Sequence, residues 1–189
     1  MDIELIIEAV SVIAGLAYLY LIIKEKRIAW LLGVLSSILA IYLFLNGKLY
    51  SEATLYSFYV IAGIYGYVHW GKDSSPIVIQ KAKAKQVLGL ILIAIAGSFA
   101  LGWFFQKTSD ADMPYFDAST SIFSFLATWM STQKILQNWL FWILIDAASI
   151  VLYSIKELYL FAGLMAVYTV IAVYGYLNWR KKYEISIRN

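Results

Sequence analysis

The sequence predicts an all-α membrane protein of seven transmembrane helices, laid out as two parallel three-helix repeats joined by one extra helix (3+1+3). Three observations carry this. Of 189 residues, 62% are hydrophobic and 14% charged, with mean hydropathy +0.73, whereas a soluble domain is about one quarter charged. Seven apolar segments, at approximately 3–23, 28–46, 51–71, 86–106, 115–132, 136–155 and 158–179, approach the roughly 20 residues that a bilayer-crossing helix needs. A shift of 109 residues lays the first three segments on the last three without a gap.

The first segment starts at once, without a basic leader or a small-residue cleavage site, and reads as a retained helix. The second carries Trp30, Gly33, Ser36 and Ser37; the two serines suit either hydrogen bonding or close helix packing. The third puts Tyr56, Tyr59, Gly63, Gly66 and Trp70 on one arc. The fourth restores the orientation, so that both repeats run the same way across the membrane. The fifth aligns Asp117 with Glu8 of the first. The sixth, Asn138-Trp139-Leu140-Phe141-Trp142-Ile143-Leu144-Ile145-Asp146, holds the sharpest signal. The seventh carries Tyr168, Ala172, Gly175 and Trp179, with Asn178 nearby.

In the repeat, Trp30-Leu31 falls on Trp139-Leu140 and Leu49-Tyr50 on Leu158-Tyr159. Tyr59 falls on Tyr168, and Tyr65-Gly66-Tyr67 with Trp70 on Tyr174-Gly175-Tyr176 with Trp179. Roughly a quarter of the aligned positions are identical, above chance even for so biased a composition. Residues 1–71 form the first repeat, 72–114 a linker with the central helix, and 115–189 the second repeat with a basic tail. Two prolines and short loops leave no room for a soluble domain. Parallel repeats of this kind build transporters with a midplane site between the halves; a duplicated bundle without a transport role is the alternative.

Basic residues cluster in alternate loops: Lys24, Lys26 and Arg27; Lys72, Lys81, Lys83 and Lys85; Lys134; Arg180, Lys181, Lys182 and Arg188. The opposite side carries Lys48, Lys107 and Lys156 among Asp2, Glu4, Asp110, Asp112 and Asp117. The positive-inside rule then sets the N-terminus outside and the C-terminus in the cytoplasm. The basic residues form no single patch, which speaks against a nucleic-acid partner. Absence of cysteine excludes disulfides and thiolate metal sites. No Ser/His/Asp set, metal-ligand cluster or phosphate loop is present, so neither enzymatic activity nor a metal or cofactor is expected. His69, the only histidine, reads as a surface residue beside the interface.

Asp146 is the clearest ionisable group at mid-membrane depth. It costs roughly 2.5–3.5 kcal/mol on insertion scales, so it marks a functional site by default. Trp139, Trp142, Asp146 and Tyr153 share one arc of the helix. Indole faces beside a buried acceptor suit a flat, partly polar or cationic ring. Trp139, near the helix start, fits an interfacial aromatic belt or a binding wall equally. Trp142 and Asp146 lie deeper and favour the wall. Asn138 lies near the interface, where it suits a helix cap or the site. Tyr59 and Tyr168, mid-helix, suit closing a cavity; Trp70 and Trp179 suit interface anchors. The repeat partners of Trp142 and Asp146 are Gly33 and Ser37, so one half presents bulk and charge and the other small residues.

Asn138-Trp139-x-x-Trp142 followed by Asp146, the Ile64-Tyr65-Gly66-Tyr67-x-x-Trp70 ending and the paired Leu-Tyr openings resemble the PnuC family of bacterial vitamin transporters, over nearly the whole chain. The resemblance implies a 3+1+3 layout like an enlarged SWEET sugar transporter, in the inner membrane. It implies facilitated diffusion of nicotinamide riboside, made directional by phosphorylation in the cytoplasm, and a trimeric assembly. It also implies that Trp139, Trp142 and neighbouring polar residues line the site; the reading of the residues themselves adds Asn138, Asp146, Tyr59, Tyr168 and Ser36 as candidates. The nicotinamide riboside members carry carboxamides at positions matching Ser36, Tyr56 and Gly63, and this chain has none of the three. Thiamine, carried by another branch, also has a cationic aromatic ring and is the second expected substrate. A sugar transporter and a non-transporting membrane scaffold are further alternatives.

Overall fold

The computed structural model describes residues 3–46, 50–71, 78–108, 113–155, 157 and 159–188. Its seven helices are α1 (Ile3–Ile23), α2 (Ala29–Asn46), α3 (Tyr50–Trp70), α4 (Ala84–Thr108), α5 (Pro114–Thr132), α6 (Asn138–Ile155) and α7 (Tyr159–Ser186). Six match the predicted segments within two residues at each end. The loop charges Asp2, Lys48, Lys72, Asp110, Asp112 and Lys156, and Leu49 and Leu158 of the helix openings, lie outside the described residues.

One boundary departs from expectation. The basic stretch after Trp179 is not a tail but the last turns of α7, which continues to Ser186. Arg180 Nε donates to Glu184 Oε1 at 2.8 Å, an exposed i,i+4 ion pair that supports helix beyond the apolar span.

Among the described residues, five helices are long and apolar enough to cross a membrane: α1, α2, α4, α6 and, from Ala162, α7. Helices α3 and α5 are more polar. α5 holds seven Ser and Thr residues, of which Ser124, Thr128, Ser131 and Thr132 are buried. The exterior is far more apolar than that of a water-soluble protein, around a core that is itself mainly apolar. Ile93, Phe99, Leu144 and Val170 stand exposed, while serines, threonines, Asn138 and Asp146 are buried. Hydrocarbon, not water, is the solvent such a surface suits.

The chain divides into two compact units, residues 1–78 and 79–189. In the first, α1 packs on α2 and α2 on α3. Ser11 Oγ donates to the Ser36 carbonyl at 3.0 Å, and Ser36 Oγ returns a bond to the Ser11 carbonyl at 2.8 Å. Arg27 closes the far end of α3. Its Nε donates to the Tyr67 carbonyl at 2.8 Å and its guanidinium lies 3.8 Å from the Tyr67 ring centre.

In the second unit α4 packs on α5, α5 on α6 and α6 on α7. Ala127, Met130, Ile135 and Phe141 form its apolar centre, flanked by Phe123, Trp142 and Ile145. The strand-like segment before α4 is clipped to the α5–α6 connection. Gln80 N donates to the Lys134 carbonyl and Leu136 N to the Gln80 carbonyl, and the Gln137 carboxamide bonds both the N–H and the carbonyl of Ala82.

The α1–α2 and α5–α6 connections match bond for bond at the 109-residue shift. α1 ends with Glu25 at φ 56°, α5 with Lys134 at φ 51°. Lys26 N bonds the Leu21 carbonyl and Glu25 N that of Ile22; Ile135 N bonds Met130 and Lys134 N bonds Ser131. This is the Schellman closure, which turns the last carbonyls of a helix inward through one left-handed residue. The four bonds that start α2, from Ala29, Trp30, Leu31 and Leu32, recur from Asn138, Trp139, Leu140 and Phe141.

Candidate functional site

The first residues of α6 are fixed by polar bonds. Asn138 is buried; its Nδ2 donates to the Ile135 carbonyl at 2.6 Å and its Oδ1 accepts from Ser131 Oγ at 2.9 Å. It therefore ties the α5–α6 turn together. The next residue, Trp139, is 3% exposed, which removes it from any interfacial belt. Its indole lies against Gly175 of α7, where an added Cβ would come 2.7 Å from Cε3 and Cζ3. Trp179 meets it edge-on, with ring centres 5.5 Å apart at 90°.

The expectation for Trp179 is corrected by this contact. At 0% exposure it is an interior packing residue, not an interface anchor. The first unit repeats the device. Trp30 lies against Gly66, an added Cβ there falling 2.5 Å from the indole, and Trp70 meets it edge-on at 5.4 Å and 89°. Each pair of helices is thus locked by a tryptophan seated on a glycine, because only a residue without Cβ lets an indole this close to the facing backbone. Both seated indoles bury an Nε1–H that has no hydrogen-bond partner among the described residues.

One turn further along α6, Trp142 is half-buried and packs on the Ala127, Met130, Ile135 and Phe141 cluster. Asp146, another turn on, is 6% exposed. Among the described residues no side chain donates to its carboxylate. Half-buried Tyr168 of α7 lies within electrostatic reach of it. Asn138, Trp139, Trp142, Asp146 and Tyr168 therefore all belong to the second unit, on α6 and α7.

Two expected site residues lie in the first unit. Ser36 is committed to Ser11 of α1, so its hydroxyl serves helix packing. Tyr59 is half-buried in an aromatic row with Tyr56, 5.3 Å away, and Phe58; Phe44 stacks edge-on to Tyr56. α5 also buries two hydroxyl residues that the sequence reasoning passed over, Ser124 and Thr128. Their i, i+4 spacing, continued by Ser131, was the available signal.

The all-helical architecture, with five described helices able to cross a membrane and the Asp146 carboxylate buried in one of them, is that of a multi-pass membrane protein, the class to which membrane transporters belong. The chain belongs to the nicotinamide mononucleotide transporter family, whose model matches residues 5–181, in keeping with the PnuC resemblance. The nicotinamide riboside transporter PnuC of Escherichia coli is 25% identical over 92% of this chain and 84% of its own length. That of Neisseria mucosa is 28% identical over 92% of this chain and 71% of its own. A crystal structure of the vitamin B3 transporter PnuC has the same fold, with TM-score 0.73, 22% identity, and coverage of 93% of this chain and 80% of that one.

Proposed function

We propose that the chain takes up nicotinamide riboside by facilitated diffusion across a bacterial inner membrane. The observation that carries the site is Asp146, buried in an apolar helix without a protein donor among the described residues and one turn beyond Trp142. A cationic aromatic ring satisfies both groups at once, stacking on the indole while its charge or hydroxyls meet the carboxylate. Tyr168 supports the same wall, and Trp139 acts by holding α6 against α7. The names of the relatives favour nicotinamide riboside over other cationic rings.

The 3+1+3 parallel-repeat layout, with all seven helices spanning, is supported by the matching turns and the paired Trp30–Gly66–Trp70 and Trp139–Gly175–Trp179 sets. The N-terminus outside, a trimeric assembly and trapping of the substrate by cytoplasmic phosphorylation complete the proposal. Thiamine is the second reading, favoured by the absence of carboxamides at Ser36, Tyr56 and Gly63.

Labelled uptake into proteoliposomes tests the proposal. Nicotinamide riboside should equilibrate without an ion gradient, and Trp142→Ala and Asp146→Asn should each slow it at least about ten-fold. Uptake of thiamine alone would give the site to the second reading. Uptake that survives both substitutions would refute the α6 wall.

A further inference from the structure

The bond from Ser131 Oγ to Asn138 Oδ1, 2.9 Å long, sets the register of α5 against α6. The connection between them, residues 133–137, allows only an antiparallel return. Counting back along α5 from Ser131, Thr128 is three residues away and Ser124 seven. Counting forward along α6 from Asn138, Trp142 is four away and Asp146 eight. At about 1.5 Å per residue, Thr128 and Trp142 lie about 4.5 and 6 Å along their helices from the bonded pair, and Ser124 and Asp146 about 10.5 and 12 Å. Ser124, Thr128 and Ser131 share an arc of about 60°, and Asn138, Trp142 and Asp146 one of about 80°. The bonded pair belongs to both arcs, so the two stripes start from the same side of the α5–α6 turn.

Ser124 is 5% and Thr128 6% exposed. A hydroxyl in an apolar helix ordinarily bonds back to a carbonyl three or four residues earlier. Ser119, Thr120, Ser131 and Thr132 of this helix all do so. Among the described residues, Ser124 and Thr128 donate no hydrogen bond, and none reaches Asp146. Ser124, Thr128 and Asp146, residues each more than nine-tenths buried, thus keep polar groups unpaired among the described residues of the unit that holds Trp142.

We infer that Ser124 and Thr128 join Asp146 as the part of the substrate site that reads sugar hydroxyls. This rests on the reading of the chain as a carrier of a nucleoside-like cation. A vicinal diol donates two hydrogen bonds to one carboxylate, leaving its own oxygens to accept from serine and threonine hydroxyls. Ring stacking on Trp142 then selects the base, and the hydroxyl track selects ribose. Thiamine, whose side chain offers a single hydroxyl, would leave part of the track unpaired, and a site built for hydroxyls rejects ligands that lack them.

The test is calorimetric binding of nicotinamide riboside and its 2′-deoxy analogue to the purified full chain. Thr128→Val removes the hydroxyl at nearly constant shape, Ser124→Ala removes the other, and Thr128→Ser restores the first. Thr128→Val is expected to weaken the riboside about ten-fold and the deoxy analogue less than about two-fold, with Thr128→Ser near the unmutated value. Ser124→Ala should show the same selectivity even if Thr128→Val fails to fold. Variants that bind both ligands as the unmutated chain does, or lose both equally, would overturn the inference while leaving the transporter reading standing. An unmutated chain that binds no riboside would overturn both.

Discussion

Replacing Gly175 by alanine tests the device that holds α6 to α7. The new Cβ would stand 2.7 Å from Cε3 and Cζ3 of Trp139 and 2.8 Å from Cδ2, all on the face of the indole. Ordinary contact begins near 3.4 Å, so the ring must retreat by about 0.7 Å, onto the steep repulsive side of the potential if it does not. It has little room, being nearly wholly buried with Trp179 edge-on against it. Overpacking of this kind costs about 1–3 kcal/mol. Alanine in a helix returns up to about 1 kcal/mol relative to glycine, leaving a net loss of roughly 0–2 kcal/mol.

A control isolates the steric part. Gly163 lies on the same helix and an added Cβ there meets nothing within 4 Å, so Gly163→Ala receives the helix gain without the clash. The two variants should differ by about 1–3 kcal/mol, which for a chain of this size is roughly 2–4 °C in melting temperature per kcal/mol. Thermal unfolding in detergent, followed by tryptophan fluorescence, measures it. Gly66→Ala, with its Cβ 2.5 Å from Trp30, should behave like Gly175→Ala. Should Gly175→Ala melt together with Gly163→Ala, the indole has space to move and the seated-tryptophan reasoning is wrong.

Two further outcomes follow from the ends of the helices. Arg27→Ala removes both the bond to the Tyr67 carbonyl and the contact with its ring, and should speed amide exchange at the end of α3, around Val68 to Gly71. Arg27→Lys should not restore protection, because an ammonium lacks the planar fork that does both jobs. Gln137→Leu deletes both side-chain bonds to Ala82, and should expose residues 79–83 to exchange and proteolysis while the α5–α6 turn, held by Asn138, stays protected. Unchanged protection of 79–83 would show that the Gln80 bridge suffices alone.

Much of the fold was legible because hydropathy is a local property. Six helices could be bounded within two residues from apolar runs, and the 109-residue repeat could be read directly. α7 outran its prediction because hydropathy marks only the apolar span, while the helix-forming Arg180, Lys181, Lys182 and Glu184, with one exposed i,i+4 ion pair among them, carry the helix on past it. The site was legible in part. Asp146 announces itself by its cost in an apolar helix. Ser124 and Thr128 do not, since a hydroxyl in such a helix is common and costs nothing visible when it bonds back to its own backbone.

The sequence by itself determined the number and order of the helices, the membrane environment and the pairing of Trp30, Gly66 and Trp70 with Trp139, Gly175 and Trp179 under one shift. These depend on the composition of continuous segments and on self-similarity. Only the tertiary structure decided what those residues do. A helical wheel places Trp139, Trp142 and Asp146 on one arc, but lipid, a ligand and a neighbouring helix are equivalent to a wheel. The position of Gly175 on another helix sends Trp139 into packing, and the packing of the second unit leaves two unremarked hydroxyl residues, Ser124 and Thr128, buried in the same unit as Asp146. Which side chains are left without partners is a property of neighbours brought together from distant sequence, and it appears only once the helices are packed.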